Sequence, residues 1–239
     1  MATQLALRAV SKAYAHGQVL DAVSGTVRDG ERVAVVGENG AGKSTLLRLL
    51  AGPEAPDEGE VVVTADGGIG HLGQVLDLPD AATVGDAIDA ALADLRDLQR
   101  RIAEAEQALS AGEDGLLTAY GELSTAFELR DGYRADARVR AAMSTLGIGE
   151  LTPERALGTL SGGQRARLAL AGVLSAEPEL LLLDEPTNHL SPALVEQLEQ
   201  ALAEYPGAVV VVSHDRMFRK RWTGAEVALA AGRLLAPVR

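Results

Sequence analysis

Gly37-Glu38-Asn39-Gly40-Ala41-Gly42-Lys43-Ser44 fits the spacing G-x-x-x-x-G-K-S, which suits one kind of chemistry. Glycines let backbone N–H groups turn inward around clustered anionic oxygens, and a following helix adds the partial positive charge of its N-terminus. Such a loop holds nucleotide phosphates. Gly37, Asn39, Gly40 and Gly42 shape the cradle, and Lys43 reaches the β- and γ-phosphates. The Ser44 hydroxyl meets Mg²⁺, and Thr45 continues the contact.

Leu180-Leu181-Leu182-Leu183-Asp184-Glu185 is an apolar run closed by two carboxylates. Asp184 at the strand's end can hold Mg²⁺ directly or through water, and Glu185 can orient or deprotonate an attacking water. The same pair could instead cap a helix or mark a turn. His214 follows Asp184 by 30 residues, after the run Val209–Val212. It is either a satisfied polar group behind a strand or a sensor of the γ-phosphate. Gln74 follows the Gly67-Gly68 turn, and its amide can bridge metal and water. Tyr14 precedes the phosphate loop by about two dozen residues and can stack on adenine.

Leu160-Ser161-Gly162-Gly163-Gln164 forms a second anion nest at a helix start, although Ser161 also suits a plain N-cap. A chain serving one nucleotide has no use for two nests in one site. Ser161, Gly162, Gly163 and Gln164 are therefore expected to face a nucleotide held by a neighbour.

Strands must deliver these groups. Val33–Val36, Val61–Val63, Leu180–Leu183 and Val209–Val212 are short continuous apolar runs, as expected of strands covered on both faces in a mainly parallel sheet. Gln4–Val10 alternates and suits a half-exposed strand. Ala225–Leu229 and Leu234–Leu235, flanking Gly232, suggest a closing hairpin. Helices are expected over Lys43–Leu50, Gln164–Leu174 and Pro192–Glu204, the last with Ser191 as N-cap and Pro192 in its first turn.

The stretch Thr83–Leu146 has another texture. Ile88, Leu95, Ile102 and Leu109 recur every seven residues, with Ala91, Leu98 and Ala105 between them, which predicts one long helix with a narrow apolar seam. Ala111–Gly115 interrupts the pattern, and Leu116, Tyr120, Leu123 and Phe127 resume it. An antiparallel helical hairpin follows, either projecting as an arm or packed as ordinary core helices.

Bulk properties bound the rest. A chain of 239 residues can bury a full core. The absence of cysteine suits a reducing compartment. No apolar run approaches the roughly 20 residues of a membrane span, and Met1–Val10 does not read as a signal peptide, so a cytoplasmic protein is expected. With 22 basic and 34 acidic side chains the net charge is −12, which argues against global capture of nucleic acid, and DNA is not an expected partner. Arg216, Arg219, Lys220 and Arg221 form either a local basic patch or a solvated face.

Together these strings resemble an ATP-binding cassette (ABC) domain: Walker A at Gly37–Ser44, Q-loop Gln74, signature Leu160–Gln164, Walker B Leu180–Asp184, catalytic Glu185 and switch His214. The resemblance implies an α/β fold with an ABC-type P-loop NTPase core, a mainly parallel sheet, an antiparallel β subdomain and a helical subdomain bearing a hairpin insertion. It implies a single nucleotide-binding domain over 1–239, with core at 1–82 and 147–239 and the helical insertion at 83–146. A Mg²⁺-dependent ATPase follows, in which Ser44, Gln74 and Asp184 hold the metal and a second cassette completes the site. Asp184-Glu185-Pro186-Thr187-Asn188-His189-Leu190, with Ser213-His214-Asp215-Arg216 later, is similar to the ABC-F branch, whose members act on ribosomes in translation or antibiotic resistance. The ribosome or its RNA is then an implied partner, and the alternative is a motor subunit docked on transporter membrane proteins. Ser191 stands where many cassettes have aspartate. One cassette without a long linker helix implies a half that homodimerises, a fragment of a longer protein, or a degenerate gene.

Overall fold

The computed structural model describes residues 4–65, 67–73, 78–111 and 114–235. In chain order the elements begin with β1 (Gln4–Tyr14), β2 (Gly17–Arg28), β3 (Arg32–Val36), α1 (Lys43–Ala51), β4 (Glu58–Thr64) and β5 (Ile69–Leu72). Five helices follow: α2 (Val84–Ala91), α3 (Ala93–Ser110), α4 (Leu117–Leu129), α5 (Ala135–Thr145) and α6 (Gly162–Ser175). The chain continues through β6 (Leu180–Asp184), α7 (Pro192–Ala203), β7 (Ala208–Val212), α8 (Arg216–Arg221), β8 (Ala225–Ala230) and β9 (Arg233–Leu234). Two compact units result, Met1–Asp77 with Pro178–Arg239, and Leu78–Glu177.

The first unit holds two sheets. One has strand order β2-β1-β4 and is antiparallel, and the other runs β5-β6-β7-β3-β8-β9, parallel except for the closing β8–β9 pair. Leu5, Leu7, Val10, Leu20 and Val23 from the small sheet meet Val33, Val35, Leu180, Leu182, Val210 and Val212 from the large one in a single core with α1. Removing that apolar surface from water is the main drive for the unit, at about 25 cal/mol per Å². Leu180–Leu183 and Val209–Val212 are fully or almost fully buried, as their continuous apolar runs require. Arg32 secures the end of α7, donating to the Leu202 carbonyl at 2.8 Å and the Tyr205 carbonyl at 2.7 Å. A guanidinium there satisfies carbonyls that the helix leaves open.

Two expectations need correction. Val61–Val63 lies in β4, an edge strand paired antiparallel with β1, and its valines are half-buried rather than covered on both faces. A short valine run carries no period that separates the two environments. The heptad stretch is also not one helix. It breaks at Leu92, which ends α2 and precedes α3. Leu92 is buried although it lies off the predicted seam, so packing rather than the seven-residue repeat sets the break.

In the second unit, α3 and α4 form the expected hairpin, with the Tyr120 hydroxyl donating to Glu106 at 3.1 Å across it. Helix α2 starts with a capping box between Thr83 and Asp86. It packs on α6 so closely that a Cβ on Gly172 would lie 2.6 Å from that of Ala91. A glycine inside a helix costs stability, and here it permits the close approach. Among the described residues, no helix is long and apolar enough to cross a membrane.

Candidate active site

Strands β6, β7 and β3 are neighbours in the parallel sheet, so their carboxyl ends lie side by side. Asp184 pairs with Val212, and Val212 with Val35. The chain leaves β3 into the glycine loop, β6 into Asp184-Glu185 and β7 into Ser213-His214. Three strings far apart in sequence thereby meet at one sheet edge, where open α/β sheets bind ligands.

They line an open cleft of about 560 Å³, formed by Val19, Asn39, Gly40, Gly42, Lys43, Ser44, Thr45, Asp184, Glu185, Asn188 and His214. Gly42 precedes α1 at φ +100°, and a Cβ there would lie 2.9 Å from both the Val19 carbonyl oxygen and Leu20. The loop therefore sits directly against β2, and only glycine suits that conformation and space. Gly37 is closed from another side, since a Cβ on it would stand 2.2 Å from the Leu229 carbonyl oxygen of β8. The buried Lys43 ammonium curls back over the loop, donating to the carbonyls of Gly37 at 2.9 Å and Glu38 at 3.0 Å.

Asp184 and Glu185 are both buried, and Glu185 takes φ +52°. A non-glycine residue in that region is strained and persists only where its surroundings hold it. The Glu185 N–H donates to Val212 at 2.9 Å, and the Asn188 N–H donates to the Glu185 carbonyl at 3.1 Å. The Glu185 side chain is 8% exposed and that of His214 61%, with Nδ1 of His214 2.7 Å from Oε2 of Glu185. A carboxylate only accepts, so Nδ1 carries the proton between them and Nε2 points elsewhere. On β5, burial holds the His71 imidazole below its ordinary value, and the Asp184 carboxylate opposes that shift.

Among the named candidates, Asn39, Gly40, Gly42, Lys43, Ser44, Thr45, Asp184, Glu185 and His214 share the cleft. Gly37 opens the loop beneath it. Tyr14 is not part of the lining, and its hydroxyl donates to Glu54. Ser161, Gly162, Gly163 and Gln164 belong to the second unit, where Ser161 and Gln164 close a capping box at the start of α6. Gln74 lies outside the described residues. Val19 and Asn188 line the cleft without having been singled out as site residues. Asn188 sits inside a quoted string and had a signal, whereas Val19 arrives only through packing of β2. Within the basic string, Arg219 pairs with Glu226, and Arg221 with Glu196 and Glu199.

A glycine loop with its lysine, a strand-end acidic pair and a histidine just beyond the neighbouring strand define a P-loop nucleotide-binding domain. This chain belongs to the ABC transporter family, whose family model matches residues 20–188. It is 53% identical over 226 residues to the tylosin resistance ATP-binding protein TlrC of Streptomyces fradiae, covering 92% of this chain and 41% of that protein. It is 36% identical over 213 residues to the energy-dependent translational throttle protein EttA of Mycobacterium tuberculosis, covering 89% of this chain and 38% of that one. The chain thus spans about two-fifths of the length of these relatives. A solved ATP binding subunit of an ABC transporter matches with a TM-score of 0.73 at 20% identity, covering 98% of this chain and 89% of that one. The fold is that of an ABC ATPase domain.

Proposed function

We propose that the chain binds ATP with Mg²⁺ in the cleft of its first unit. Hydrolysis follows when the signature Ser161-Gly162-Gly163 of a second cassette closes over the γ-phosphate. The convergence of Lys43, Ser44, Asp184, Glu185 and His214 on one cleft carries this reading. The donor set fits Mg²⁺. A hydroxyl and one carboxylate suit a metal that keeps substrate phosphates and water as its other ligands, and among the described residues no cluster of three or more acidic, histidine or cysteine side chains offers a protein-only cage. Two buried carboxylates facing a triphosphate also call for a countercharge. When bound, Mg²⁺ supplies that neutralisation.

The remaining work falls to the chain's own groups. Loop N–H groups and Lys43, drawn away from the Gly37 and Glu38 carbonyls, hold the phosphates. Glu185 orients a water and takes its proton as the water oxygen bonds to the γ-phosphorus. The bond to the bridging oxygen breaks, and ADP leaves with that electron pair. His214 fixes the Glu185 carboxylate and reaches the γ-phosphate side of the cleft with Nε2.

For the whole protein we infer an ABC-F-like role on the ribosome, in translation or antibiotic resistance. The similarity to TlrC and EttA supports it, as does the Asn188-His189 string. The net charge of −12 favours the alternative, a motor subunit on transporter membrane proteins, because general attraction to RNA is lacking. Cosedimentation with ribosomes in the presence of a non-hydrolysable ATP analogue tests the choice. Nucleotide-dependent pelleting is expected, and its absence with an active ATPase would leave the transporter role.

A further inference from the structure

We propose that Glu54 is a positioning residue for the nucleobase: it locks the ring of Tyr14 to the phosphate-loop helix, so that base and phosphate subsites keep a set spacing. This rests on Tyr14 being the adenine platform.

Glu54 receives two donors at once. The Tyr14 hydroxyl donates to Oε2, and Arg48 Nε donates to Oε1 at 2.7 Å. Arg48 belongs to α1, five residues beyond Lys43, and also donates to Thr45 Oγ1 at 3.3 Å and to the Tyr14 hydroxyl at 3.4 Å. Glu54 therefore stands between the helix that carries Lys43, Ser44 and Thr45 and the tyrosine at the end of β1. Its carboxyl is held below the usual carboxylate range, first by the Tyr14 hydroxyl and then with help from Arg48, so it accepts from both as an anion.

The ring is fixed from a second direction. Lys12 Nζ lies 5.8 Å from the Tyr14 ring centroid, and is itself held by Asp57 at 2.9 Å and the Ala55 carbonyl at 2.8 Å. Tyr14 pairs with Gly17 at the β1–β2 turn, and β2 carries Val19, which lines the cleft and abuts Gly42. Tyr14 remains 39% exposed, a large ring held at its hydroxyl yet open to solvent. A tyrosine free to rotate would spend binding energy on being ordered, whereas one already ordered offers its face at once.

Isothermal titration of the 239-residue chain with ATP and, separately, with inorganic tripolyphosphate tests this. Glu54→Ala is expected to weaken ATP about fivefold, part of the stake of one base–aromatic stack, and to leave tripolyphosphate unchanged. Tyr14→Phe should match it, the double variant should add nothing, and Glu54→Gln should restore much of the affinity by accepting from the hydroxyl. An equal loss for both ligands in Glu54→Ala would reduce Glu54 to support of α1 and overturn the proposal. So would unchanged ATP affinity in Glu54→Ala when Tyr14→Ala is weakened, in which case the platform survives. Unchanged ATP affinity in Tyr14→Ala would remove the platform itself.

Discussion

His214 and Glu185 are joined twice: Nδ1 of His214 lies 2.7 Å from Oε2 of Glu185, and the His214 N–H donates to that same oxygen at 3.2 Å. The second bond comes from backbone, so it holds the carboxylate whatever the imidazole does. On the proposed mechanism, Glu185→Gln keeps the shape and loses the base. ATP binding should persist while turnover falls by about 100-fold or more. His214→Ala keeps the backbone donor, so its loss should be the smaller of the two. Steady-state phosphate release beside nucleotide titration measures both, and parental turnover in Glu185→Gln would remove that residue from its role.

Gly162 has nothing within 4 Å of the place a Cβ would occupy, so Gly162→Asp should fold normally. On the proposed composite site it should nevertheless abolish hydrolysis, because a negative charge would face the partner's γ-phosphate. Mixing it with Glu185→Gln, itself nearly inactive, should restore turnover. One composite site in the mixed dimer would join an intact Glu185 to an intact signature. No recovery, together with turnover per chain independent of concentration, would mean that sites are complete within single chains.

The loop glycines should separate by mechanism. Gly37→Ala drives a methyl into the Leu229 carbonyl at 2.2 Å, so a loss of about 1–3 kcal/mol or more in denaturant unfolding is expected. Gly40→Ala meets no atom and bears only its φ of +82°, a cost of about 1 kcal/mol. Its effect should appear mainly in nucleotide affinity. Equal destabilisation by the two would contradict the packing of Gly37 under β8.

Arg165 joins two parts of the second unit, donating to Asp80 and, at 3.0 Å, to the Leu157 carbonyl. Asp80 is 78% exposed and Arg165 only 22%, so the ion pair is worth little and the carbonyl bond more. Asp80→Asn should cost under about 1 kcal/mol, and Arg165→Ala about 1–3 kcal/mol with its packed stem also lost. Thermal unfolding of both variants decides, and the reverse ranking would place the stability in the ion pair.

Ser191 caps α7, its hydroxyl accepting from the Leu194 N–H at 3.4 Å. Aspartate caps as well as serine, so Ser191→Asp should change stability by under about 0.5 kcal/mol. If this position couples paired sites, the ATP dependence of turnover should steepen. An unchanged Hill coefficient would show that serine costs no coupling here.

The candidate site residues were legible in the sequence because local patterns mark them directly. A glycine loop ahead of a lysine, a carboxylate pair ending a leucine run and a serine-led helix start each require only neighbouring residues to be recognised. The continuous runs of β3, β6 and β7 likewise announced buried strands, and Ser191-Pro192 a helix start. Three things were decided by the folded chain alone. Strand order set β6 and β7 beside β3, bringing Asp184 and His214 to the phosphate loop, and no spacing along the chain encodes adjacency in a sheet. Close approach brought Val19 to Gly42 and joined Glu54 to Tyr14, contacts between segments that share no motif. Packing against neighbours broke the heptad helix at Leu92 and put the valines of β4 on an edge, because periodicity reports which residues seek burial and not which surface provides it.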